Sequence, residues 1–144
     1  MPLKIYEIME KIKVMIDRAA DGTYNVYCAG HPEFFGMGDS IEQAKAEMLE
    51  SIRITREEIG KEQALSYPAW LDGEYELEYK FDVQGLLEYY AGVITPTALG
   101  NMTGINPKQI WNYMHGVAKP RRAQVEKIEA ALHKLGHELI NTSF

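Results

Sequence analysis

Between residues 11 and 17, Ile12, Val14 and Ile16 alternate with Lys11, Lys13 and Asp17, the period-2 pattern of a strand with one buried face. Residues 18–22, RAADG, follow as a turn in which Gly22 is free to take positive φ. In residues 23–29, Tyr24, Val26 and Cys28 alternate with Asn25 and Tyr27, so the two segments predict a hairpin. A third short strand is expected around Phe34 to Met37. The period then changes at Ser40, which with Gln43 has the spacing of a capping box: Ser40 accepts from the Gln43 amide while Gln43 reaches back. From there Ile41, Ala44, Met48, Ile52, Thr55 and Ile59 fall on one helical stripe, with Gly60 suited to the stop. Residues 63–73 have no clear period and contain Pro68 and Gly73, a loop. EYELEYKF, residues 74–81, alternates again and predicts a fourth strand whose glutamates, Glu74, Glu76 and Glu78, face solvent.

Beyond a boundary near residues 80–82 only helical pattern remains, and it predicts four helices at about 82–93, 96–103, 107–115 and 121–139. Asp82 suits an N-cap, and Thr95-Pro96 and Asn106-Pro107 each place a capping side chain before a proline at the first helical position. The second and third of these helices are short and separated by Gly104-Ile105, the spacing of a helix-turn-helix, with Leu99, Ile105, Ile110 and Tyr113 as the packing face. The expected architecture is therefore α+β: a β-β-β-α-β module over residues 1–81, followed by an all-α helix-turn-helix domain over residues 82–144.

That packing face leaves Lys108, Gln109 and Asn112 to point outward from the opening turns of the third helix. In a helix-turn-helix these positions meet base edges, where Gln or Asn pairs with adenine and Lys donates to guanine; the alternative is ordinary solvent-facing polarity. Arg121 and Arg122 start the last helix at the positive end of its dipole, where a cation costs ~0.3–1 kcal/mol. With Lys119 they form a basic patch suited to phosphate, although an i,i+4 pair of Arg122 with Glu126 accounts for one of them equally well. Trp111 departs from the small or polar residue a groove-facing position normally holds. It is open to contact with a thymine methyl or a sugar, to a supporting role against the first helix, or to a protein interface.

Charge sharpens the division into modules. Residues 1–81 hold 9 Lys and Arg against 16 Asp and Glu, a balance of −7, and residues 82–144 hold 6 against 5, or +1; together they give the net −6. Two modules with different partners fit this asymmetry. The 46% apolar content is that of a folded chain, and the single cysteine, Cys28, excludes an intramolecular disulfide or a multi-thiolate zinc site, in keeping with a reducing, cytoplasmic setting. MPLKIYEIMEKIK is broken by charges and does not resemble a signal peptide, and no run approaches the ~20 apolar residues of a membrane helix. His31, His115, His133 and His137 lack partners at metal-ligand spacing; the i,i+4 pair His133 and His137 lacks the glutamate of a metalloprotease motif. No cofactor or metal is expected.

KIKVMIDRAADGTYNVYCA, GMGDSIEQA and the helix after them resemble the HicB-type antitoxin module, a partial RNase-H-like fold. Residues 94–136, from ITPTALGNMTGINPKQIW to the end of ALHKLG, resemble the helix-turn-helix of Cro-repressor-type regulators. Leu99, Gly104, Ile105, Ile110, Tyr113, Gly116, Pro120, Val125, Ile128 and Leu132 fall in the expected register. The first eight residues lie outside the resemblance, Trp111 departs from it on the groove face, and Arg121 replaces a common serine cap. The resemblance implies a DNA-binding transcriptional regulator without catalysis. Its N-terminal module would hold a small basic RNA-cleaving toxin of the HicA type, and its C-terminal module double-stranded operator DNA, as a homodimer or larger assembly. Only Asp17 lies near the end of a first strand, and it lacks the carboxylate partners of two-metal hydrolysis. The alternative is an interaction protein that does not bind DNA and whose helix-turn-helix serves oligomerisation.

Overall fold

The computed structural model describes residues 9–144; residues 1–8, to which part of the expectation about a signal segment applies, lie outside them. The chain is α+β and divides into two compact units with the break between Lys80 and Phe81. The first unit contains strands β1 (Glu10–Arg18), β2 (Tyr24–Cys28), β3 (His31–Gly38) and β4 (Tyr75–Lys80), with helix α1 (Ile41–Arg53) between β3 and β4. The sheet order is β3-β2-β1-β4; β1 pairs antiparallel with β2 and parallel with β4. The hairpin turn contains Gly22 at φ 89°, and Asp21 accepts from both the amide and the hydroxyl of Thr23.

The period-2 positions Ile12, Val14, Val26, Cys28 and Phe34 supply one buried face, and Ala44, Met48 and Ile52 of α1 close over it. The Ser40 cap forms as its spacing predicts, with the Gln43 amide donating to Ser40 Oγ at 3.1 Å. The return bond goes one residue further back, from the Asp39 amide to Gln43 Oε1 at 2.9 Å. Helix α1 lies so close to β3 that Gly36 has no room for a side chain: a Cβ there would sit 2.5 Å from the Met48 backbone nitrogen.

In the first unit two expectations need correction. The helical stripe does not run to Gly60 as one α-helix. After Arg53 the winding loosens to π over Ile54–Ile59, which rotates the stripe away from the sheet and leaves Ile59 44% exposed. The loop at 63–73 is not merely a connector. Its Ala69–Asp72 turn buries Trp70 and Leu71 in the core, Trp70 standing edge-on to Phe34 and Tyr75. Lys61 and Tyr67 both donate to Asp72 and hold this segment down, and their bonds keep the Asp72 carboxyl below its ordinary range.

The second unit holds α2 (Val83–Tyr89), α3 (Pro96–Thr103), α4 (Pro107–Met114) and α5 (Arg122–Ile140). Its core is Leu87, Leu99, Ile105, Ile110, Tyr113 and Ile128, so each helix contributes to one cluster. Helix α2 stops at Tyr89, earlier than the periodicity suggests. Phe81, expected at the end of the fourth strand, instead packs against Tyr89 and Tyr90. No helix among the described residues is long and apolar enough to cross a membrane.

Candidate nucleic-acid interface

Three capped helix starts set the geometry of the second unit. The side chains of Asp82, Thr95 and Asn106 accept from the amides of Gly85, Ala98 and Lys108 at 2.7, 3.0 and 2.9 Å, so each helix begins at a defined residue. Gly104, at φ 78°, ends α3 in the left-handed conformation, and its amide bonds back to the Gly100 carbonyl. Only Gly104, Ile105 and Asn106 separate α3 from α4. Ile105 is buried, and Gly100 allows close approach: a Cβ there would meet the Pro107 ring at 2.8 Å and the Ile105 carbonyl at 2.9 Å.

With Ile110 and Tyr113 in the core, the opposite side of α4 is the accessible one. Lys108 is exposed there, while Gln109 and Asn112 are half-buried on the flank rather than fully outward. The Asn112 carbonyl accepts from the amides of Val117 and Ala118, fastening the chain that leaves the helix. Trp111 is 40% exposed and lies outside the core, which removes a role as a buried support. Its ring carries Lys108 Nζ 4.1 Å from the centroid and the His115 imidazole stacked at 4.0 Å.

The segment between α4 and α5 turns at Gly116, φ 71°, and brings up Lys119, Arg121 and Arg122, all exposed. Arg121 occupies the N-cap position without a capping bond, and neither it nor Lys119 forms an ion pair among the described residues. Arg122 pairs with Glu126 at 3.1 Å, its side chain 92% exposed; a pair so open to water adds little stability and leaves the guanidinium accessible. His115 is the residue that the outward pattern missed. Its i+4 spacing from Trp111 is the signal that places it on the same side. His133 and His137 are both exposed on α5, and no group of three or more His, Cys, Asp or Glu among the described residues is arranged to hold a metal ion.

Comparison of the chain with protein-family models, with curated proteins and with solved structures gives no match to any of them.

Proposed function

We propose that this protein is a sequence-specific DNA-binding regulator, the antitoxin of a type II toxin-antitoxin pair of the HicB kind, with residues 82–144 on its operator and residues 1–81 on a small basic toxin. The observation that carries the reading is the exposed side of α4 together with the exposed cations that follow it in the chain. Lys108 is exposed on α4 with Gln109 and Asn112 half-buried on its flank, and Arg121 holds a helix start where a cation is disfavoured while its side chain makes no capping bond. Phosphate contact gives Lys119 and Arg121 a purpose that folding does not, and Arg122, though paired with Glu126, is open to the same contact. The α3–α4 pair acts as a helix-turn-helix, with α4 in the major groove and the three cations on the backbone.

The first unit acts as a protein-binding module. The exposed glutamates Glu76 and Glu78 of β4, with Glu74 just before it, attract a basic partner. It carries no catalysis in this reading: Asp17 is exposed, and its Oδ2 accepts from the Tyr27 hydroxyl at 3.2 Å. The protein works as a homodimer or larger assembly, which sets two α4 helices one turn of DNA apart.

Alanine at Gln109 or Asn112 tests the assignment. Each should relax preference at particular base pairs by ~1–3 kcal/mol while leaving binding to unrelated DNA unchanged. A uniform loss over all sequences would contradict base reading by that residue.

One observation favours a second reading, an interaction protein whose helical unit serves only assembly. Leu139 and Ile140 at the end of α5 are 62% and 81% exposed. Trp111 emission that changes on dilution and ignores DNA would select it.

A further inference from the structure

Lys108, Trp111 and His115 follow one another at i, i+3 and i+7 along α4. Lys108 precedes the indole by three residues and His115 follows it by four, so the two approach the ring from opposite ends of the helix. At 4.1 Å and 4.0 Å from its centroid, and with the His115 plane only 23° from parallel, they cover both faces. His115 is itself fixed, because its Nδ1 lies 2.8 Å from the Trp111 carbonyl. A carbonyl only accepts, so Nδ1 carries the proton. With both groups in place Trp111 is still 40% exposed, and among the described residues the indole N–H has no acceptor.

A ring layered in this way has no free face to slide between base pairs or to lie flat on a sugar. It meets a ligand only edge-on, and the polar group on that edge is a single donor. Because its rotamer is already fixed, little side-chain freedom is lost when a partner arrives.

We infer that Trp111 engages DNA by its edge, the indole N–H donating to a hydrogen-bond acceptor on the duplex, with His115 as the positioning residue that holds the ring at that angle. The inference rests on the DNA-binding reading of α4. Acceptors of this kind are the O6, N7 and O4 atoms of base edges in the major groove and the phosphate oxygens.

The test uses the full chain on a duplex that the wild type prefers over scrambled DNA. Trp111→Phe keeps the ring and its stack but lacks the N–H. It should bind the preferred duplex about 3- to 10-fold more weakly and scrambled DNA unchanged. Replacing each base-edge acceptor in turn by an analogue lacking it, and each phosphate in turn by a methylphosphonate, then finds the partner. The right change costs the wild type this factor and costs Trp111→Phe nothing, and its position separates base from phosphate. His115→Ala should weaken binding as Trp111→Phe does and raise acrylamide quenching of Trp111 above the constant contribution of buried Trp70. His115→Phe, which restores a stacking ring, should recover both. A discriminating wild type whose Trp111→Phe variant binds equally well, or shows no coupling at any position, overturns the inference and leaves the DNA reading intact. A wild type that does not discriminate between the duplexes removes the DNA reading itself.

Discussion

Gly100 of α3 and Pro107 of α4 are in contact where a side chain at Gly100 would collide: a Cβ would fall 2.8 Å from the proline ring, which cannot swing away as a flexible chain does. This approach fixes the angle at which α4 is presented. Gly100→Ala should therefore destabilise the second unit by ~1–3 kcal/mol, measured by urea unfolding, and weaken DNA binding through α4 even where the protein remains folded. An alanine variant with unchanged stability and binding would mean that the α3–α4 contact is not set by this glycine.

Gly36 and Gly38 make a matched pair in the first unit. A Cβ on Gly36 meets the backbone of α1, whereas one on Gly38 meets the Gln43 side chain at 2.9 Å. Rotating Gln43 withdraws its Cγ and Oε1 and gives up the bond to the Asp39 amide, but its Cβ, also 2.9 Å away, stays where the α1 backbone holds it. Gly36→Ala should cost ~3 kcal/mol or more and Gly38→Ala less, ~1–2 kcal/mol, the difference being obstruction by backbone atoms against a side chain that moves in part. Thermal melting of the two variants decides the order.

Burial, with a smaller contribution from the Glu33 carboxylate, pushes the Cys28 thiol up to about 11. Its Sγ also lies 3.9 Å from Met48 Sδ inside the core. The folded state favours the neutral thiol, so this contribution is present below the unfolded value of ~8.5 and is lost as pH rises toward 11. A thiol reagent at pH 8 should leave the folded protein untouched and label it only in denaturant. Labelling at native rates comparable to the denatured chain would place the thiol on the surface.

Neutralising Lys119, Arg121 and Arg122 together should weaken binding to every DNA sequence and reduce the salt slope by roughly 2–3, about 0.9 for each phosphate that no longer has a cation beside it. The slope of log K against log salt for wild type and triple variant is the measurement. Equal slopes would remove the three cations from the backbone.

The sequence makes much of this architecture legible, where local chemistry acts alone. Alternation at Ile12 and Val14, the Ser40 cap and the Asn106-Pro107 start each depend on a few neighbouring residues, and each forms. What stays hidden depends on tertiary context. The π winding after Arg53 turns Ile59 outward against its own periodicity, and Trp70, in a stretch without period, is drawn into the core by Phe34 and Tyr75. The parallel placement of β4 beside β1 has no sequence signature at all. In the candidate site, Lys108 is exposed as its spacing implies. Gln109 and Asn112 are partly covered, and the layering of Trp111 between Lys108 and His115 emerges only when rotamers are fixed.

The central claim is that α4 reads DNA. Fluorescence anisotropy of the protein with the DNA upstream of its own coding sequence, against a scrambled duplex, at two salt concentrations, tests it directly. The account predicts tight binding to the upstream duplex, weaker binding to the scrambled one, and loss of both as salt rises. Equal binding to the two duplexes, or none, would contradict it and leave α4 as an element of protein assembly.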